Sequence, residues 1–322
     1  MTDGLLVLGF GGPTPGCCGR RATCPKTPGC EAECFVAGIL GDNPARAARI
    51  NEVTDHYRHF GGFSPYNELT ARQASALQSE LARRGRTLAV ACGYRHWTPW
   101  SIDALRTLQS AGCERAVILI MAPHQSSVSW DWYLKHAAEA AEKLGTQAPQ
   151  LIGVVQPWWA EAGFVTATAD AVRQATKGWS AERFAAAELI FTAHAIPQPV
   201  ESTSPYRAQF AETAALAAKT LGHPEHAIAF QSQPGDSRIP WSSPTIEQAI
   251  EAAHKRGKRD VVVQAAGFLV DHTEVLYDLD VEAKLLADKL GVIFTRAACV
   301  HDHPAYIAML ADRVEQAFVA AR

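Results

Sequence analysis

Eight short apolar runs, each followed by a longer stretch of mixed polarity, limit more than any other feature how this chain can fold. The runs are Leu5–Phe10, Leu88–Gly93, Ala116–Ala122, Leu151–Val155, Glu188–Thr192, Ala227–Gln231, Val261–Ala266 and Val292–Thr295. They are rich in Val, Ile, Leu and Ala, and several end at Gly or Pro, as strands buried on both faces do. Between them, Thr70–Arg84, Asp131–Leu144, Tyr206–Leu221 and Thr245–Arg256 repeat apolar residues at helical spacing. This alternation predicts an α/β chain with parallel sheets covered by helices on both faces.

The runs divide four and four around a helical stretch after Trp158. The chain has 322 residues, enough for two medium-sized domains. We expect two similar Rossmann-like domains, each a four-stranded parallel sheet flanked by helices. The first covers residues 1–155 and the second 156–303, with a last helix at 304–321 free to return to either. No low-complexity linker separates them, so a deep shared cleft is expected, with its chemistry at the carboxyl ends of the strands.

A net charge of −3 gives no reason to expect nucleic acid or an anionic membrane as partner. No run approaches the roughly 18 apolar residues of a spanning helix. The opening MTDGLLVLGF lacks a basic lead and breaks at Gly11-Gly12, so it reads as a first strand of a cytoplasmic protein and not as a signal peptide. GFGGPTPG lacks the GxGxxG spacing of a dinucleotide site, and Pro13 and Pro15 interrupt any helix after it.

The strand ends carry the polar groups. In the second half they are Thr192-Ala193-His194, Gln231-Ser232-Gln233 and Asp271-His272-Thr273-Glu274; in the first half, Phe10-Gly11-Gly12, Tyr94-Arg95-His96 and Pro123-His124-Gln125. Neutral imidazole at His194 can accept a proton or bind a metal near neutral pH; the alternative is a hydrogen-bonded loop histidine. If the chain is α-helical from about Thr273, then Glu274, Asp278 and Glu282 fall at i, i+4 and i+8 on one face. Like charges at that spacing repel, so the line stabilises nothing by itself. A hard divalent cation travelling into a cleft needs such a track; a solvated acidic face is the alternative.

Five of eight cysteines, Cys17, Cys18, Cys24, Cys30 and Cys34, crowd one loop-rich N-terminal stretch. In a reducing compartment ligation outweighs disulfides. Thiolates suit an iron–sulfur cluster, here a [2Fe–2S] centre on Cys17, Cys24, Cys30 and Cys34, or structural zinc on the same residues; free or disulfide thiols are the third reading. Most of the eight tryptophans read as core or interface packing, while Trp241, between Pro240 and Ser242-Ser243, is the one expected at a ligand. His301 and His303 read as a surface turn before the last helix.

Several segments in order resemble the ferrochelatase family. FTAHAIP is similar to its SAH-x-LP segment, and GFLVDHTEVLYDLDVE to GF-x-x-DH-x-E-x-LYD-x-D-x-E. FQSQPGDSRIPWSSPT resembles QS-x…W-x-x-P, and YRHFGGFSPYNELTARQASALQSEL resembles Y-x-x-IGG-x-SP-x…T-x-x-Q. LLVLGFGGP matches the opening strand and glycine turn, and LIMAPHQSS a strand end of the coproporphyrin-using branch. The matches run from residue 5 to 285 and leave out the cysteine stretch, an insertion over residues 14–34.

The resemblance implies two Rossmann-like domains around a porphyrin cleft and the insertion of Fe²⁺, as substrate, into a porphyrin during heme biosynthesis. It makes His194 the group that binds metal or takes a pyrrole proton, Glu274 the acid facing it, and Asp278 and Glu282 the outer acids of the metal path. Ser232 and Trp241 fall at porphyrin-lining positions, joined by Phe10, Gly11, Tyr94, Arg95 and His124 at the other strand ends. The APH segment favours coproporphyrin III, giving coproheme, over protoporphyrin IX. Transient contact with neighbouring heme-pathway enzymes is expected. Phe10 departs from the tyrosine that coproporphyrin-using enzymes of Gram-positive bacteria carry near the metal, since a phenyl ring neither ligates iron nor donates a hydrogen bond. Other readings are a cobalt or nickel tetrapyrrole chelatase, and, outside enzymes, a heme or porphyrin carrier or an iron–sulfur sensor.

Overall fold

The computed structural model describes residues 2–16, 29–41, 43–234 and 237–321. Among the described residues, eight strands form two sheets of four: β1 (Thr2–Gly9), β2 (Ala89–Tyr94), β3 (Cys113–Ile120) and β4 (Gln150–Val154), then β5 (Glu188–His194), β6 (Ala227–Gln231), β7 (Asp260–Gln264) and β8 (Ile293–Ala297). All eight expected strands are present, with ends moved by a few residues. Each sheet is parallel, in the orders β2-β1-β3-β4 and β6-β5-β7-β8. The second half thus repeats the first. In each, the connections leave in opposite directions from the first strand and its central neighbour, which opens a crevice beyond the carboxyl ends of β1 and β3, and of β5 and β7.

Period-two alternation in β1 explains the layers. Leu5 and Val7 face one way, toward Leu77 and Leu81 of the helix Tyr66–Arg83 and Leu310, Val314 and Phe318 of Pro304–Ala320. Leu6 and Leu8 face the other way, toward Leu105, Leu108, Tyr133 and Ala137. In β5, Leu189, Phe191 and Ala193 pack against Phe210 and Ala214 of the helix Tyr206–Leu221, and Ile190 packs with Ile250 and Leu279 on the opposite side. The C-terminal helix therefore returns to the first sheet.

Phe164 and Leu269 join that same core from the second half, so the halves share buried apolar surface. Gly163 permits this locally. A side chain there would run into the Ala305 carbonyl, so only glycine lets Ala162–Ala175 cross Pro304–Ala320 at this distance.

One helix departs from the expected geometry. Residues 273–290 do not form a continuous α-helix: Thr273–Val275 is α, Leu276–Ala283 is a π-helix, and Lys284–Leu290 is α again. A π-helix bonds i to i+5, so a four-residue step falls short of a full turn where in an α-helix it overshoots. Among the described residues, no helix is long and apolar enough to cross a membrane.

Candidate active site

A cleft of about 350 Å³ opens at the carboxyl ends of the strands, walled by residues of both halves. Phe10 follows β1, Arg95 follows β2, and Met121 to His124 follow β3; opposite stand His194 to Pro197 after β5 and Gly267 to Val270 after β7. Its lining is mainly apolar, with His194, His272 and Glu274 at one end.

His194 is the last residue of β5, paired through that strand with Gln231 of β6. Its Nδ1 lies against the Ala195 carbonyl, which fixes the proton on Nδ1 and leaves the Nε2 lone pair facing the cleft. Tyr206 Oη donates to the His194 carbonyl at 2.9 Å, holding the backbone from the other side. Across the cleft end, Glu274 Oε2 stands 3.7 Å from His194 Nε2.

Glu274 is held by its own short helix. The His272 ring accepts the Glu274 amide at 3.3 Å, and Thr273 Oγ1 donates to the Phe63 carbonyl at 3.2 Å. The buried His272 ring packs between Tyr66 and Phe268; burial lowers its pKa, which keeps it neutral and able to cap. Behind it, Asp271 accepts from Arg296 at 2.9 Å, from the Cys299 amide at 3.1 Å and from His301 Nε2 at 2.9 Å. Desolvation opposes ionisation of Asp271, but His301, Arg296 and the Cys299 amide outweigh it and hold the carboxyl well below its usual range. His301 is therefore not an idle surface residue: it occupies the turn before the last helix, yet its ring is tied to the segment that carries Glu274.

Asp278 lies one turn further along, in the π-helix, and is buried. Ser232 donates to it, as does Gln231 Nε2 at 3.3 Å. Ser232 takes a left-handed backbone with φ of 64°, which turns its hydroxyl back toward the acid. Burial pushes the Asp278 pKa up to about 8, with the Ser232 bond working against this and Glu274 and Glu282 adding to it. Glu282 is also raised, first by burial and then by Glu247 and Glu52. Tyr57, fully buried on the helix Ala47–His59, is pushed up by burial and by the Glu274 and Asp278 carboxylates it faces.

Not every expected ligand-lining residue meets the cleft. Phe10, Arg95, His124 and Trp241 do. His124 is buried, its Nε2 3.0 Å from Thr213 Oγ1, and Trp241 Nε1 donates to Ser237 at 2.8 Å. Tyr94 does not: it is 2% exposed, donates to the Asn67 carbonyl at 3.0 Å, and packs edge-on against Tyr66. Tyr94 is the last residue of β2 and turns inward, while Arg95, just past the strand, reaches the cleft. Gly11 is packed against Tyr94 and Trp97, and Ser232 stands behind Glu274 against Asp278. Tyr66, Tyr206 and His272 were not singled out from sequence, although His272 sits within the quoted DH segment.

Of the proposed cysteine ligands, Cys17 and Cys24 lie outside the described residues. Cys30 and Cys34 are not in a loop as expected but on the helix Cys30–Leu40, where Cys34 is 2% exposed among Phe35, Ile50, Tyr57 and Trp97. Among the described residues, no group of three or more His, Cys, Asp or Glu side chains could hold a metal ion. Neither a [2Fe–2S] cluster nor zinc gains support from these thiols, and His194, Glu274, Asp278 and Glu282 do not close into one cage.

The family model described as "Ferrochelatase" matches residues 34–318. The chain belongs to the ferrochelatase family. It is 32% identical over 317 residues to the coproporphyrin III ferrochelatase of Mycolicibacterium smegmatis, covering 98% of this chain and 89% of that one. It is 31% identical to a ferrochelatase of Deinococcus radiodurans, covering 97% and 95%. Among solved structures it resembles SirB from Bacillus subtilis with Fe³⁺, at a TM-score of 0.56 and 11% identity over 98% and 95% of the chains, a likeness of fold. Members of the ferrochelatase family are enzymes that insert a metal into a porphyrin. The cleft and the His194–Glu274 pair are thus read within that family.

Proposed function

We propose that this protein inserts Fe²⁺ into coproporphyrin III to give coproheme, within heme biosynthesis. The observation that carries the metallation is the opposition of His194 Nε2 and Glu274 Oε2, 3.7 Å apart, in the lining of an apolar cleft. Support for coproporphyrin over protoporphyrin IX comes from the Mycolicibacterium smegmatis relative, a coproporphyrin III ferrochelatase, at 32% identity.

Metallation releases two protons from the pyrrole nitrogens and strips water from the iron. The apolar walls hold the macrocycle and keep water out, which strengthens the polar interactions at the inner end. His194, with its Nε2 lone pair exposed, accepts the two pyrrole protons in turn and passes each to solvent, and Glu274 lies within reach to stabilise the imidazolium that forms between the two transfers. Glu282 and Asp278 are the outer stations for the cation. Burial raises the Asp278 pKa to about 8, so a cation bound there would compete with its proton. Phe10, Arg95, His124 and Trp241 contact the porphyrin.

An anaerobic assay with Fe²⁺, following loss of free-base fluorescence, tests the reading with both porphyrins. Faster turnover of coproporphyrin III is expected. Preference for protoporphyrin IX would overturn the substrate, and no turnover of either with retained binding would favour a carrier.

A further inference from the structure

We propose that Thr192 is a positioning residue for the metal path: its hydroxyl fixes the Gln231 amide, and that amide holds Asp278 with one carboxylate oxygen kept for the incoming cation. This rests on the metallation reading above and adds to it a residue buried away from the cleft.

Alternation along β5 puts Thr192 where it can act. Leu189, Phe191 and Ala193 pack on one side of the strand, while Ile190 packs on the other with Leu279 of the π-helix. Thr192 shares the Ile190 face and lies two residues before His194 on it. It is fully buried, where valine would have the same shape without a hydroxyl to satisfy. The hydroxyl donates to Gln231 Oε1 at 2.8 Å, on the neighbouring strand β6. Gln231 is itself buried, and the strand register pairs it with His194.

The two ends of a glutamine amide have nearly the same shape, so hydrogen bonds alone decide which way it faces. With Oε1 held by the Thr192 hydroxyl, Nε2 turns to Asp278 and donates to its Oδ2 at 3.3 Å. The Ser232 hydroxyl donates to that same oxygen. Among the described residues, both donors to the Asp278 side chain meet Oδ2, and Oδ1 takes no hydrogen bond. A carboxylate anchored through one oxygen presents the other to a hard cation. The backbone beneath the relay is tied as well: the Gly267 amide donates to the Thr192 carbonyl at 2.9 Å, and the Ala195 amide to the Gln231 carbonyl at 2.8 Å. Without the Thr192 hydroxyl, Gln231 Oε1 has lost its donor and the amide is free to reverse. Its oxygen then faces the carboxylate, and Asp278 is held by Ser232 alone.

Anaerobic metallation kinetics, with Fe²⁺ and coproporphyrin III varied in turn, test the relay. Thr192→Val is expected to raise KM for Fe²⁺ roughly fivefold, the scale of one lost buried hydrogen bond, and KM for porphyrin less than about twofold. Thr192→Ser keeps the hydroxyl and is expected to restore most of the Fe²⁺ value. That order separates the relay from packing, because a packing role ranks valine above serine. Gln231→Met, which removes the amide at similar length, is expected to give the same split as Thr192→Val. Unchanged KM for Fe²⁺, an equal rise for both substrates, or a serine variant no better than valine overturns the relay. If the wild-type protein metallates neither porphyrin, the enzymatic reading falls, and the relay is judged by calorimetric Co²⁺ binding to the porphyrin-free protein. There, wild type and Thr192→Ser are expected to bind roughly fivefold tighter than Thr192→Val. Equal Kd values, or no Co²⁺ binding by the wild type, overturn it.

Discussion

His194 Nε2 and Glu274 Oε2 stand 3.7 Å apart, too far for a direct hydrogen bond and near enough to act on one bound atom between them. They come from different strands of the second sheet: His194 ends β5, and Glu274 follows the loop after β7. The pair is therefore a product of strand order, β5 beside β7. Substituting His194→Ala or Glu274→Gln is expected to reduce metallation by at least about a hundredfold, the scale of losing a general base. Porphyrin Kd should change little in both. Near-normal turnover in the two variants would remove the pair from the mechanism.

Gly267 sets how closely the loop after β7 approaches β5. A side chain there would meet Ala193 Cβ at 2.5 Å and Cα at 2.6 Å, and backbone cannot move aside cheaply. Its amide donates to the Thr192 carbonyl at 2.9 Å. Gly267→Ala is expected to destabilise the fold by about 1–3 kcal/mol, as overpacking does, in urea denaturation. It should also lower activity, because the shift falls beside His194.

Asp271 gathers Arg296, His301 and the Cys299 amide, and among the described residues only Arg296 has a second carboxylate, Asp280 at 2.7 Å. Asp271→Asn keeps an oxygen for some of these donors but removes the charge. With both side chains of the Arg296 pair mostly buried, a loss of about 3 kcal/mol is expected by chemical denaturation. An unchanged midpoint would show that Arg296 and Asp280 suffice.

His124 is 2% exposed, and burial lowers its pKa from 6.5 to about 3. Held neutral in the folded protein, it takes a proton on unfolding in the window between those values. Its contribution is thus complete above pH 6.5 and is lost as pH falls toward 3. Across that window the wild-type unfolding free energy should fall more steeply than that of His124→Gln, by up to about 1.4 kcal/mol per pH unit. Parallel curves would show that the ring gains its proton without unfolding.

The sequence by itself determined the strands and most helices, because apolar periodicity reports directly which faces are buried. It also marked His194 and Glu274, because polar groups at the ends of apolar strands, within ordered family segments, leave few other roles. Only the tertiary structure decided how these parts meet. The π-turns at Leu276–Ala283 depend on which carbonyl each amide selects, and side-chain spacing does not record that choice. Tyr94 and Arg95 look equally suited to a ligand in the sequence, yet Tyr94, at the end of β2, turns inward to Asn67 while Arg95, just past the strand, reaches the cleft. His301 became part of the Glu274 support only because the chain end folds back beside Asp271. The buried state of Cys34 follows from the packing of Phe35, Tyr57 and Trp97 around it, contacts between segments far apart in the chain. Local pattern fixes which face of an element is apolar; what covers that face is settled when distant segments compete to bury it.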